Sequence, residues 1–252
     1  MIKFFRKIRL DLMEQNKTGR YLKYAIGEIV LVVIGILIAL QINNWNENRK
    51  AEQKERSLFS NLSIDFESRL QELKEMNTAR QAGTMAILEL NRSIANRQNR
   101  PHDTILESTI SKIMNGYKFN EEFKMLDVLF STGLINDIQN EVLKRKLIEW
   151  PQQVEEMLEE QRMHNFLMDT EFKPLLAKYV ALRAIYEKFD FRKYNLPKGE
   201  PVTLIKDYDG LLSDPMFENF LAEEELLLRV NTIDTETLIT SAEEIIALLN
   251  NK

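Results

Sequence analysis

The 252-residue sequence has no cysteine, two histidines, eight glycines and six prolines. Without cysteine, the chain can form neither a disulfide framework nor a thiolate metal site. So few glycines and prolines favour long helices over turn-rich β structure. The net charge of −5 argues against general nucleic-acid binding.

The two histidines offer little for nucleophilic catalysis. His102 falls in a predicted loop and His164 on a charged helix, far apart in sequence. Neither has a Gly-x-Ser-x-Gly context or a cysteine partner. We therefore interpret both as surface histidines and expect no catalytic residue.

Two acidic groups resemble metal sites without completing one. The glutamates between 155 and 160 lack the Glu-x-x-His pairs of a di-metal bundle, which predicts a solvated face. The run Asp207-Tyr-Asp209-Gly210 is similar to the start of a calcium loop, but Met216 stands where that loop needs glutamate. We expect no metal, no cofactor and no enzyme activity.

One long apolar run lies near the N-terminus. Tyr24 to Ile42 reads YAIGEIVLVVIGILIALQI, and its 19 residues would span roughly 28 Å as a helix. The hydrocarbon core of a bilayer is about 30 Å thick. The run predicts a transmembrane helix over 24–42, with Tyr21, Tyr24 and Trp45 as interfacial anchors.

The flanking charges predict the orientation of this helix. Basic residues dominate before the span, whereas Glu47, Glu52 and Glu55 dilute those that follow it. The Lys/Arg excess places the N-terminus in the cytoplasm and the long C-terminal part outside it. A cleaved signal peptide is the main alternative, although Ala39-Leu40-Gln41 is a poor small-x-small cleavage site.

One face of the predicted span differs from the others. At about 100° per residue, Gly35 and Ala39 each lie within about 20° of Glu28. Small residues let helices approach closely in lipid, so this face predicts contact with another membrane helix, either its own copy or a partner. Alternatively, Glu28 snorkels toward Lys23 and Arg20 at the cytoplasmic boundary.

The predicted fold class is all-α, with four segments along the chain. Residues 1–23 form a basic segment, which either lies on the inner leaflet as an amphipathic helix or only sets topology. Residues 24–42 span the membrane and residues 43–57 continue as a helical stalk. Residues 58–252 form an extracytoplasmic bundle of about six or seven helices.

Apolar spacing and capping residues predict the limits of several helices in the bundle. The first runs from Phe59 through Ile94, with Gly83 as a weak point. Asp103 caps a helix over 104–115 that ends at Gly116.

The next predicted helices end at glycine or proline. Asn120 opens a helix over 121–132 that Gly133 stops. Another starts at Leu134, turns Val142 and Trp150 inward, and is broken or kinked by Pro151.

The C-terminal third contains one irregular region between helices. Pro174 opens a helix through about Phe189, and residues 190–213 are predicted to be irregular. Asp214-Pro215 opens a helix to about Val230, and a separate last helix carries the apolar stripe from Leu238 to Leu249.

The segment YAIGEIVLVVIGILIALQINNWNENRK, preceded by MIKFFRKIR, resembles the N-terminal signature of a known family. That family comprises uncharacterised single-pass inner-membrane proteins of Gram-negative bacteria, catalogued as a domain of unknown function. LFSTGLINDIQNEVLKRKL and DPMFENFL are similar to its soluble region. The resemblance implies an inner-membrane protein with a periplasmic helical domain, and it brings no activity or catalytic residue.

Two functions fit these observations. The first is a structural or interaction subunit of a membrane assembly, with the lipid bilayer and either a homo-oligomer or a partner membrane protein as its contacts. The second is an extracytoplasmic sensor or ligand-binding bundle that acts through a partner.

Overall fold

A computed structural model describes residues 18–115, 119, 122–189 and 205–250. Residues 1–17 of the predicted basic segment, the helix limits at Gly116 and Asn120, and residues 190–204 of the predicted irregular region lie outside these residues. So do the side chains of Tyr21 and Tyr24. Contacts divide the chain into two units after Leu58, and each is described by itself.

Helix α1 (Thr18–Ala95) is 78 residues long. Up to Leu58 it is a continuous helix whose apolar side chains point outward. Its most apolar stretch is long enough to cross a membrane, and other described residues bury none of it. This stretch is a candidate membrane span.

Beyond Leu58, α1 is amphipathic. Phe59, Leu62, Phe66 and Leu73 are buried at the predicted spacing of three and four. The expectation of a weak point at Gly83 is wrong, because the helix runs through it unbroken. A Cβ at Gly83 would lie 3.1 Å from Leu228 Cδ1, so glycine allows close packing there.

Seven α-helices follow α1 in the described part of the chain, so the predicted all-α bundle is confirmed. They are α2 (Asp103–Ile113), α3 (Lys124–Ser131), α4 (Glu141–Leu167), α5 (Lys173–Tyr179), α6 (Leu182–Tyr186), α7 (Tyr208–Leu211) and α8 (Pro215–Asn250). Over the same residues, the one β-pairing is an isolated bridge between Val180 and Lys206.

Helix α8 lies antiparallel to both α1 and α4. Early positions of α1 contact the end of α8, as in Lys74–Glu243 at 2.7 Å. On α4, Lys146 pairs with Glu244 and His164 with Glu224, so the sequence order reverses there too. These three long helices frame the body.

Apolar clusters lie on either side of the middle of these helices. Trp150 packs edge-on against Phe66 and Phe123, with ring centroids 4.9 and 5.5 Å away. Further along α4 and its continuation, Phe172 stacks on Phe217 and Phe220. Burial of these rings is a main stabilising term.

Helix α4 differs from its prediction at both ends. Leu134–Asp137 is a separate 3₁₀ turn, and α4 begins after Asn140, whose side chain accepts bonds from two backbone N–H groups. Of the two outcomes predicted for Pro151, a break or a kink, the break is wrong, because the helix continues through it. Trp150 is fully buried as predicted, but Val142 is 46% exposed.

A π-helical turn, Met168–Phe172, joins α4 to α5. It places one extra residue between two helical stretches. Phe172, the last residue of the turn, is fully buried in its aromatic stack. Pro174, which has no N–H to donate, follows near the start of α5.

Helix α8 is one helix of 36 residues. The predicted separation into two helices near Val230 is therefore wrong. The predicted start is confirmed, since Asp214 Oδ1 accepts the N–H of Met216 at 2.9 Å. At α2, His102 caps the helix, and Asp103 is its first residue instead of its cap.

Candidate functional site: a buried polar layer

Polar and charged side chains meet at the middle of the three long helices. They come from α1 (Arg80), α4 (Gln161, His164) and α8 (Glu224, Asn231, Thr235), and each is buried. We call this set the polar layer. Because unpaired buried polar groups are costly, its hydrogen bonds decide whether it stabilises the bundle.

Arg80 is the centre of the polar layer. Its guanidinium donates to Gln161 Oε1 at 2.7 Å, to the Asn231 carbonyl at 3.0 Å and to Thr235 Oγ1. One side chain thus bonds both α4 and α8. Burial lowers the pKa of Arg80 to about 10, which the charge of Asp234 partly opposes.

Thr235 links the arginine back to α8. Its hydroxyl donates to the Asn231 carbonyl at 2.7 Å, so its oxygen is left to accept from Arg80. The Asn231 carbonyl, one turn before Thr235, therefore accepts hydrogen bonds from both the Thr235 hydroxyl and the Arg80 guanidinium. This arrangement fixes the register of α1 against α8, because sliding either helix would break both bonds.

His164 and Glu224 form the second half of the layer. Nδ1 of His164 lies 2.6 Å from Oε1 of Glu224, and the two residues are 5% and 0% exposed. The expectation of a surface histidine at 164 is therefore wrong. Burial raises the pKa of Glu224, although the hydrogen bond from His164 acts in the opposite direction.

A small cavity adjoins the layer. Its volume is about 10 Å³, and its lining includes Arg80, Gly83, Gln161 and His164. That is room for about one water. Asn231 Oδ1, also in the lining, and Glu224 Oε2 have no hydrogen-bond partner among the described residues. The cavity is too small for an organic ligand.

The sequence carried a signal for this layer. Arg80 occupies a position on the apolar stripe of α1, between Met76 and Gly83 at helical spacing. Glu224 likewise falls between Leu221 and Leu228 on α8. A charged residue on an otherwise buried stripe predicts a buried ion or hydrogen-bonded group. The spacing could not show that these positions meet across helices.

The predicted membrane face stands apart from the polar layer in sequence. Gly35 and Ala39 are exposed and Glu28 is half-buried. A Cβ at Gly35 would meet nothing within 4 Å outside its own helix. Trp45 is 63% exposed, with the Arg49 guanidinium 5.3 Å from its ring centroid. The packing face and the anchors stay predictions.

The other acidic candidates have local structural roles. Asp207 Oδ1 accepts the N–H of Gly210 at 2.7 Å, and Asp209 pairs with Arg100 at 2.5 Å. His102, which is exposed, accepts the N–H of Thr104 as a helix cap. Across the described ranges, no three acidic or histidine side chains are grouped to hold a metal ion.

The fold and these contacts define a helical protein with a candidate membrane span and a polar layer inside its body. Residues 28–100 match the model of a family of unknown function (DUF6090). The matched range begins within the apolar stretch and ends just beyond α1. No curated protein and no solved structure matches the chain.

Proposed function

We propose that this protein is a single-pass, membrane-anchored structural or accessory subunit of a membrane assembly. The observation that carries the proposal is the apolar stretch of α1, none of which is buried by other described residues. Water is a poor solvent for so much exposed apolar surface. A bilayer and a neighbouring membrane helix would cover it.

The flanking charges and the family resemblance supply the location. The Lys/Arg excess before the span favours a cytoplasmic N-terminus, and the resemblance favours the inner membrane of a Gram-negative bacterium. The helical body then lies in the periplasm. Since the chain has no cysteine, single introduced cysteines test this cleanly. An impermeant maleimide should label Ser68→Cys in intact cells and leave Asn16→Cys unlabelled; the reverse pattern would contradict the topology.

The Glu28, Gly35 and Ala39 face is the proposed contact within the membrane. Gly35 leaves room for a partner backbone, and bulk there would separate the helices. Gly27 lies about 80° around the same helix, so it offers a matched glycine outside the face.

The test uses a photo-crosslinking amino acid at Asn46, which falls on the same line as the proposed face. In membranes, the full-length protein should crosslink to its own copy or to one partner, identified by mass spectrometry. Gly35→Leu should weaken this product severalfold, whereas Gly27→Leu should leave it. The packing face would be rejected if neither substitution changed the amount of crosslinked product. It would also be rejected if both substitutions reduced that amount equally.

We rank an accessory role ahead of a sensor because the polar layer inside the body offers little room for a ligand. The cavity at the polar layer holds about one water, so a metabolite has no enclosed site there. Larger spaces of about 410 Å³ are surface grooves, one of them lined mainly by polar side chains of α4 and α8. We also propose that the protein is not an enzyme, which a hydrolase screen of the purified protein would test.

A further inference from the structure

The His164–Glu224 pair is an acid–base pair enclosed in the body. His164 Nδ1 lies 2.6 Å from Glu224 Oε1, and neither side chain has appreciable contact with solvent. The second carboxylate oxygen, Oε2, has no hydrogen-bond partner among the described residues. A fully ionised, isolated carboxylate would be costly in this place.

The charge of the pair depends on how many protons it holds. With one proton it is neutral overall, whether the proton lies nearer Nδ1 or Oε1. With none, it leaves a buried carboxylate beside a neutral ring. With two, it carries a positive charge. Burial penalises both charged forms, so the singly protonated pair is the favoured state of the fold.

Charged groups face the pair from each helix packed around it. Arg80 on α1 and Lys112 on α2 line the cavity that His164 also lines. On α8, Glu223 acts on Glu224, and Asp234 acts on Arg80. Of these groups, Glu223 acts directly on Glu224: burial raises the pKa of Glu224, and the negative charge of Glu223 also raises it.

We propose that His164 and Glu224 form a proton-operated latch between α4 and α8. One bound proton keeps the pair neutral and the two helices packed. Loss of that proton at alkaline pH leaves a buried carboxylate and loosens the contact. This inference is independent of the proposed membrane contact.

The direction of the pH effect follows from the raised pKa of Glu224. A carboxyl whose pKa is higher in the folded state stabilises the fold at low pH, and this stability is lost as pH rises through the folded value. In the unfolded chain, glutamate titrates near about 4.3. The stability contributed by the proton of the pair is therefore lost as the pH rises from about 4.3 through the raised folded value. Over that range the unfolding constant should rise by at most about tenfold per pH unit.

The experiment follows urea unfolding of the full-length protein in detergent micelles between about pH 5.5 and 8.5. Trp150 fluorescence reports on the body in a Trp45→Phe background, since these are the two tryptophans of the chain. Relative to Glu224→Gln, the starting protein should lose stability as the pH rises, by at most about tenfold in the unfolding constant per pH unit. Glu236→Gln, at an exposed position of the same helix, should follow the starting protein.

Parallel pH profiles for the starting protein and Glu224→Gln would overturn the latch. If Glu224→Gln does not fold, the double variant His164→Leu/Glu224→Leu replaces the whole pair with apolar side chains of similar volume. Its unfolding constant should then lack this rise with pH. A double variant that still lost stability with the slope of the starting protein would overturn the proposal equally.

Discussion

Two parts of α1 differ in whether apolar and charged side chains are exposed or buried. In the stretch before Leu58, Leu31 is 64% exposed, although it is apolar. In the part beyond Leu58, Arg80 is 4% exposed, although it is charged. The same helix therefore shows exposed hydrocarbon in one unit and a buried cation in the other.

This difference shows that exposure has to be judged against a residue's surroundings. Arg80 is tolerated inside because Gln161, Thr235 and a backbone carbonyl satisfy its donors. Leu31 needs no polar partner, but it does need apolar surroundings, which a bilayer supplies. Each prediction below compares matched residues from the two parts of the molecule.

The largest expected effect concerns the two tryptophans. Trp150→Ala should destabilise the body by about 3–5 kcal/mol, because it leaves a cavity between Phe66 and Phe123. Trp45→Ala removes an exposed ring and should leave the stability of the body within about 0.5 kcal/mol. Urea unfolding followed by circular dichroism measures the free energy of unfolding of both variants. Equal losses would contradict the difference between the buried and the exposed tryptophan.

The next comparison uses two exposed isoleucines. Ile34 is 49% exposed in the apolar stretch and Ile64 is 60% exposed in the body. Ile34→Arg should reduce membrane insertion, since arginine at a span centre costs about 2.5–3.5 kcal/mol. Ile64→Arg should change neither insertion nor folding appreciably. Alkaline extraction of membranes measures retention, and full retention of Ile34→Arg would count against the span.

A smaller effect is expected where the buried cation is removed. Arg80→Met should cost about 1–3 kcal/mol, mainly because Gln161 Oε1 loses its donor. Arg56→Met, at a 75% exposed side chain paired with Glu52, should cost less than about 1 kcal/mol. The same urea titration compares them. If Arg80→Met were more stable than the starting protein, the polar layer would be shown to destabilise the fold.

Much of the fold follows from local patterns in the sequence. The buried spacing from Phe59 onward and the cap at Asp214 are short-range signals, and both predicted the structure correctly. Pro151 misled because tertiary packing around Trp150 and Val154 holds α4 together across a missing N–H. The continuity of α8 was missed although no proline or glycine interrupts it near Val230.

The polar layer could be predicted only in part. His164 looks solvated from its neighbours Glu160 and Arg162, whereas its burial depends on α8, 60 residues further along the chain. Long-range pairing of this kind leaves no local trace beyond a charged residue on an apolar stripe. The predicted membrane face is a different case, because the helix proposed to pack against it would belong to a second chain.

The π-helical turn at Met168–Phe172 has a consequence for how chain length can vary in related proteins. Such a turn holds one residue more than an α-helix needs, so losing one residue there leaves the faces of both flanking helices unchanged. The same loss within α4 would rotate every later side chain by about 100° and turn Phe172 away from its stack. In an alignment of related sequences, single-residue gaps should therefore fall near exposed Thr170, and gaps spread evenly along α4 would contradict this.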